Sequence, residues 1–145
     1  MNFSNIREYS FLLQYPYNIF MAVFCALVLY YGMRSILFIL KYNELDRRIA
    51  MYPNLAEVRV QLGELLYDNG RVDRSISLFL QAINIHPDLH YARIKLSEIY
   101  FERGEKDKAV AQLKEILKRT SDDKYKFSVL AILKKWRIPQ TLIEG

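Results

Sequence analysis

Residues 56–89, AEVRVQLGELLYDNGRVDRSISLFLQAINIHPDL, and residues 90–123, HYARIKLSEIYFERGEKDKAVAQLKEILKRTSDD, are two copies of one pattern laid end to end. Leu62, Gly63, Leu66, Gly70, Ser75, Phe79, Ala82 and Pro87 in the first copy are answered by Leu96, Ser97, Tyr100, Gly104, Ala109, Leu113, Ile116 and Ser121 in the second, each 34 residues further on. That spacing is the period of a helix-turn-helix solenoid repeat, in which neighbouring helical hairpins stack to bury a shared core. Small residues at Gly63, Ser97, Ser75 and Ala109 let the two helices of a hairpin approach closely, and the large apolar positions fill the space between hairpins. Asn69-Gly70 and Arg103-Gly104 close the first helix of each pair, glycine supplying the left-handed backbone of a tight helix end. His86-Pro87-Asp88 stops the second helix and launches the next.

These residues resemble the tetratricopeptide repeat family over roughly residues 56–123, matching its small, large-apolar, glycine and proline positions. Arg59 and Arg93 depart from it, standing where the family favours a large apolar residue and so weakening individual packing contacts, and Ser121 replaces the closing proline. The register also runs backward. Leu45, Ile49 and Met51 before Tyr52-Pro53 read as the second helix of an incomplete preceding repeat, residues 41–55, continuous with the segment upstream. Forward, Tyr125, Phe127, Leu130, Leu133 and Trp136 interleave with lysines as an amphipathic helix, residues 124–137, that caps the last hairpin. Residues 138–145 read as a tail.

Upstream, no charged residue occurs from Tyr9 to Met33. A helix rises about 1.5 Å per residue and the hydrocarbon core is about 30 Å thick, so residues 17–40 are long enough to cross a membrane. Arg34 then sits near the far interface, its stem along lipid and its guanidinium at the headgroups. Tyr15 and Tyr17 at one end, with Tyr30, Tyr31 and Tyr42 at the other, suit interfacial belts. Residues 1–16 form a short N-terminal tail without the basic start of a cleavable signal. Arg34, Lys41, Arg47 and Arg48 follow the span, whereas Arg7 and Glu8 precede it, so the repeats are expected on the cytoplasmic side. The expected fold class is therefore all-α: a single transmembrane helix followed by a short solenoid.

Residues 41–145 carry 19 Lys and Arg against 15 Asp and Glu, too balanced a mixture to argue for nucleic acid. Eight cations between Lys114 and Arg137 face only Glu115, Asp122 and Asp123, which concentrates positive charge at one end. Cys25 is the only cysteine, so no disulfide framework is expected. His86 and His90 lack further ligands at metal-binding spacing. No glycine-rich phosphate loop or nucleophile-base pair is visible, so neither enzyme activity nor a cofactor is expected.

The resemblance implies that the first helix of each hairpin lines a concave surface. Glu57, Val60, Glu64, Tyr67 and Asp68 would face it from the first repeat, and Tyr91, Ile94, Glu98, Phe101 and Glu102 from the second. Relatives that bind a peptide's terminal carboxylate use Lys and Asn in this groove; Val60, Glu64, Ile94 and Glu98 stand there instead and argue against acidic tails. A basic or amphipathic segment fits the carboxylates and aromatics better. The expected function is a non-enzymatic, membrane-anchored adaptor that organises other proteins. The alternative is a permanent accessory subunit of a membrane machine, with Gly32 and Ala26 offering small surfaces for packing against other spans. With about three repeats wanted for a self-sufficient core, self-association or a partner is expected to cover the exposed edges.

Overall fold

The computed structural model describes residues 4–139, with side chains from residue 17 onward. Six helices account for its regular structure, and there is no strand among the described residues: α1 (Ser4–Met51), α2 (Ala56–Asp68), α3 (Val72–Ile85), α4 (His90–Glu102), α5 (Lys106–Arg119) and α6 (Asp123–Trp136). The chain separates into two compact units, one ending at Lys41 and the other beginning at Tyr42. The helix α1 contributes to both. Of the segment read as a C-terminal tail, only Ile138 and Pro139 are among the described residues.

In the first unit, the stretch beginning at Tyr17 is long and apolar enough to cross a membrane, with a mean hydropathy of 2.0 over its most apolar window, none of which is buried. Side chains such as Phe20, Leu29, Ile36 and Leu40 are all more than half exposed. Water would not tolerate such a surface on a lone helix, because burying apolar area is worth about 25 cal/mol per Å².

In the second unit, α2 packs on α3, α3 on α4, α4 on α5 and α5 on α6. Each adjoining pair buries residues from the repeat register. Ala56, Val60, Phe79, Ala82, Ile83, Ala92, Leu96 and Ile99 form one core, and Leu113, Ile116, Val129 and Leu133 form another. Leu45, 34 residues before Phe79, is buried as well, whereas Met51 is exposed. Gly63 sits at the close approach of α2 and α3: a Cβ there would stand 3.3 Å from the Phe79 ring, which would have to give by a few tenths of an ångström. In the second hairpin Ser97 takes the glycine's place and donates its hydroxyl to the Ile94 carbonyl at 2.7 Å.

The helix ends also follow the repeat. Gly70 (φ 74°) and Gly104 (φ 79°) adopt the left-handed backbone. The next N–H in each case turns back on the helix, Arg71 to the Leu66 carbonyl and Glu105 to the Tyr100 carbonyl, both at 2.9 Å. Arg59 and Arg93 correct the expectation that they only weaken packing. The Arg59 guanidinium donates to the Pro53 carbonyl at 2.5 Å and the Arg93 guanidinium to the Pro87 carbonyl at 3.2 Å. Each thus ties a first helix to the turn that launches it. Arg93 also donates to Gln112 Oε1 at 3.2 Å, and burial holds its pKa below the ordinary arginine value.

Candidate protein-binding surface

The ten residues expected to line the concave face all lie on α2 and α4, but their side chains go to different places. Val60 is 6% exposed and belongs to the core, not to a groove. It belongs to the same buried cluster as Phe79 and Ala82 of the second helix. Ile94 is half-buried against Leu113, Ile116, Val129 and Leu133. Phe101 is half-buried too, its ring stacked on Trp136 with centroids 4.1 Å apart and planes within 2°. These three apolar side chains therefore hold neighbouring helices together.

The polar members remain at the surface and are largely paired with one another. The Tyr67 hydroxyl on α2 donates to the Glu102 carboxylate on α4, and the Tyr91 hydroxyl on α4 donates to the Glu64 carboxylate on α2. The bonds run in opposite senses, one tyrosine from each helix to one carboxylate on the other. They make two rungs across the face. A hydrogen bond to a carboxylate stabilises the neutral phenol, so the Tyr67 and Tyr91 hydroxyls are both pushed up to about 12, with burial adding to the effect. At neutral pH both phenols therefore keep their protons and act as the donors of the two rungs.

Glu98, between the rungs, pairs with Lys95 at 3.2 Å, and the Lys95 ammonium lies 5.7 Å from the centre of the Tyr91 ring. Glu57 and Asp68 are exposed at the two ends of α2. A ligand reaching this face meets a surface whose central carboxylates already have partners. A cation gains there by displacing Lys95 from Glu98 or by sharing Glu64 and Glu102 with their tyrosines. Lys95 and Trp136 belong to this neighbourhood and were not among the expected residues. The signal for Lys95 was its place one turn after Tyr91 on the same helix face; for Trp136 it was its place in the apolar stripe of the capping helix, although that stripe did not single out Phe101 as its partner.

His86 is exposed, whereas His90 is buried with its ring edge-on to Tyr125, centroids 4.7 Å apart. Burial lowers the His90 pKa, which keeps the imidazole neutral and makes it a packing residue. Among the described residues, no group of three or more His, Cys, Asp or Glu side chains is placed to hold a metal ion.

Two family models match the chain, both described as tetratricopeptide repeat, over residues 56–89 and residues 91–120. Among solved structures, the crystal structure of MamA superposes with a TM-score of 0.51 at 27% sequence identity, over 53% of this chain and 45% of that one. The match thus spans less than half of MamA. No curated protein sequence matches the chain. The two matched segments coincide with the two hairpins built on Gly63–Phe79 and Ser97–Leu113, so each hairpin is matched by a tetratricopeptide repeat model.

Proposed function

We propose that this protein is a membrane-anchored scaffold: the apolar helix beginning at Tyr17 holds it in a bilayer, and the repeats recruit or organise other proteins. The observation that carries the reading is the pairing of a fully exposed apolar helix with a repeat unit whose exposed face bears ordered tyrosines and carboxylates. A surface of this kind binds proteins through its fixed donors and acceptors and has no group positioned for bond breaking. The Tyr91–Glu64 and Tyr67–Glu102 rungs hold their side chains in place before a partner arrives, which lowers the entropy lost on binding. Cations flanking the span on its C-terminal side favour a cytoplasmic location for the repeats.

The partner's contacting segment is basic or amphipathic, with Lys or Arg directed to Glu98 and apolar side chains against Tyr91. Crosslinking in intact membranes identifies it. Glu64→Lys together with Glu98→Lys is expected to lose that crosslinked partner while far-UV circular dichroism stays unchanged; undiminished recovery would remove the face from consideration. Alkaline extraction of membranes tests the anchor separately, since release of the chain into the soluble fraction is incompatible with a spanning helix.

A further inference from the structure

The helix α6 ends as the first helices of the two hairpins end. Arg137 takes the left-handed backbone (φ 56°), alone among the described non-glycine residues, and the Ile138 N–H turns back to the Leu133 carbonyl at 3.0 Å. This is the turn that Gly70 and Gly104 make before α3 and α5. Counted from that turn, α6 follows α4 by 33 residues, so Leu130 stands where Ser97 stands and Phe127 where Ile94 stands. In the first hairpin the matching position, Gly63, faces Phe79 of the second helix, and in the second hairpin Ser97 is fully buried. On α6, Phe127 is 71% exposed and Leu130 37%. A shallow hollow lined by Phe127, Leu130, Ala131, Lys134, Ile138 and Pro139 runs along this face. The face of a cap would be polar; this one is apolar and shaped as a seat.

We propose that α6 is the first helix of a third hairpin whose second helix is supplied by another protein, and that the supplied helix is amphipathic and acidic in its first turn. This rests on the scaffold reading but places a partner on a different face. Within a hairpin the two helices run antiparallel, so the incoming N-terminus lies beside the C-terminal end of α6. That end is strongly basic. Lys134, Lys135 and Arg137, with Lys106 and Lys114 of the neighbouring α5, form no ion pair among the described residues. A second hollow beside the first, sharing Ile138 and Pro139, is rimmed by Lys106, Lys114 and Arg137 against a single carboxylate, Asp107. Acidic residues near a helix N-terminus also complement its own macrodipole. On its apolar side the supplied helix needs the spacing of Ala109, Leu113 and Ile116: a small residue, a large one four later, an apolar one three beyond.

The probe is a fluorescent, hydrocarbon-stapled peptide of residues 106–119 carrying K106E and K108E, titrated against the full chain in nanodiscs of neutral lipid. Saturable binding is expected, weakened about tenfold or more by Phe127→Lys, as for loss of an aromatic anchor, and weakened by Leu130→Lys as well. The same peptide with its lysines restored should bind more weakly. Glu64→Lys with Glu98→Lys should leave this binding intact, so the two faces fail or succeed separately. No saturable binding, or binding indifferent to both α6 substitutions, would overturn the proposal. So would loss of the peptide on adding anionic lipid, which would assign the face to a membrane surface, or self-association in sedimentation that Phe127→Lys abolishes, which would assign it to a second copy.

Discussion

The two complete hairpins meet one packing demand with opposite distributions of volume. In the first, Gly63 leaves room that the Phe79 ring fills; in the second, Ser97 takes some of that room and Leu113 is smaller. Both pairs are buried, with Phe79 at 1% exposure and Leu113 at 0%. The repeat thus preserves a position and a summed volume, while the identity of either residue is negotiable. This is how close-packed interiors behave generally, since a methylene added on one side has to be removed from the other.

The comparison breaks most easily at the large partner. Phe79→Ala is expected to cost about 3–5 kcal/mol, because Gly63 offers no side chain to collapse into the space. Leu113→Ala should cost less, about 2–4 kcal/mol, with Ser97 already occupying part of its site. Denaturant unfolding of the full chain in detergent, followed by the fluorescence of Trp136, reads both. A larger loss at Leu113 would contradict the volume argument. Transplanting one solution into the other sharpens it further. Gly63→Ser alone adds atoms against the Phe79 ring and should cost about 1–3 kcal/mol. With Phe79→Leu also present, the pair should be less destabilised than the sum of the singles by about 1 kcal/mol, the signature of residues in contact. Additive losses would mean that the two positions do not sense each other.

The arginine clips offer a gentler contrast between the same hairpins. Arg93→Met removes hydrogen bonds to Pro87 and Gln112 from a site 8% exposed and is expected to cost about 1–2 kcal/mol. Arg59→Met acts on a more exposed bond and should stay within about 0.5 kcal/mol. The smallest effect has the opposite sign. Ser75 and Ala109 occupy equivalent positions, yet the Ser75 hydroxyl is buried with no hydrogen-bond partner among the described residues. Ser75→Ala should therefore be neutral or stabilise by up to about 1 kcal/mol. A clear destabilisation in the same unfolding measurement would show that the hydroxyl has a role in the first hairpin that the second lacks.

These contrasts also mark how much of the molecule was readable beforehand. The hairpins were legible because stacking repeats the same steric demands at a fixed interval, and the chain records that interval in its glycines, small residues and prolines. Arg59 and Arg93 were read as departures from the family pattern for the same reason: residue type was visible, but the nearby Pro53 and Pro87 carbonyls were not. The binding face was legible only as a set of helix positions. Which of those positions remain open depends on neighbours distant in sequence. Val60 turns into the core, Ile94 meets Val129 and Leu133, and Phe101 is covered by Trp136. Glu64 and Glu102 looked like open carboxylates and are engaged by Tyr91 and Tyr67. Likewise, the stripe on α6 read as the inner side of a cap, although Val129 and Leu133 are buried while Phe127 and Leu130 face outward.

The order of small, large, glycine and proline positions determined, without coordinates, that residues 56–123 form helical hairpins and that an apolar helix precedes them. Local sterics and periodic burial act along the chain and leave their record in it. Tertiary structure alone decided which tyrosine reaches which carboxylate, which arginine clips which turn, and which face of α6 remains uncovered. Those outcomes depend on distances between side chains up to 35 residues apart, as for Tyr67 and Glu102, and such distances exist only once the helices have packed.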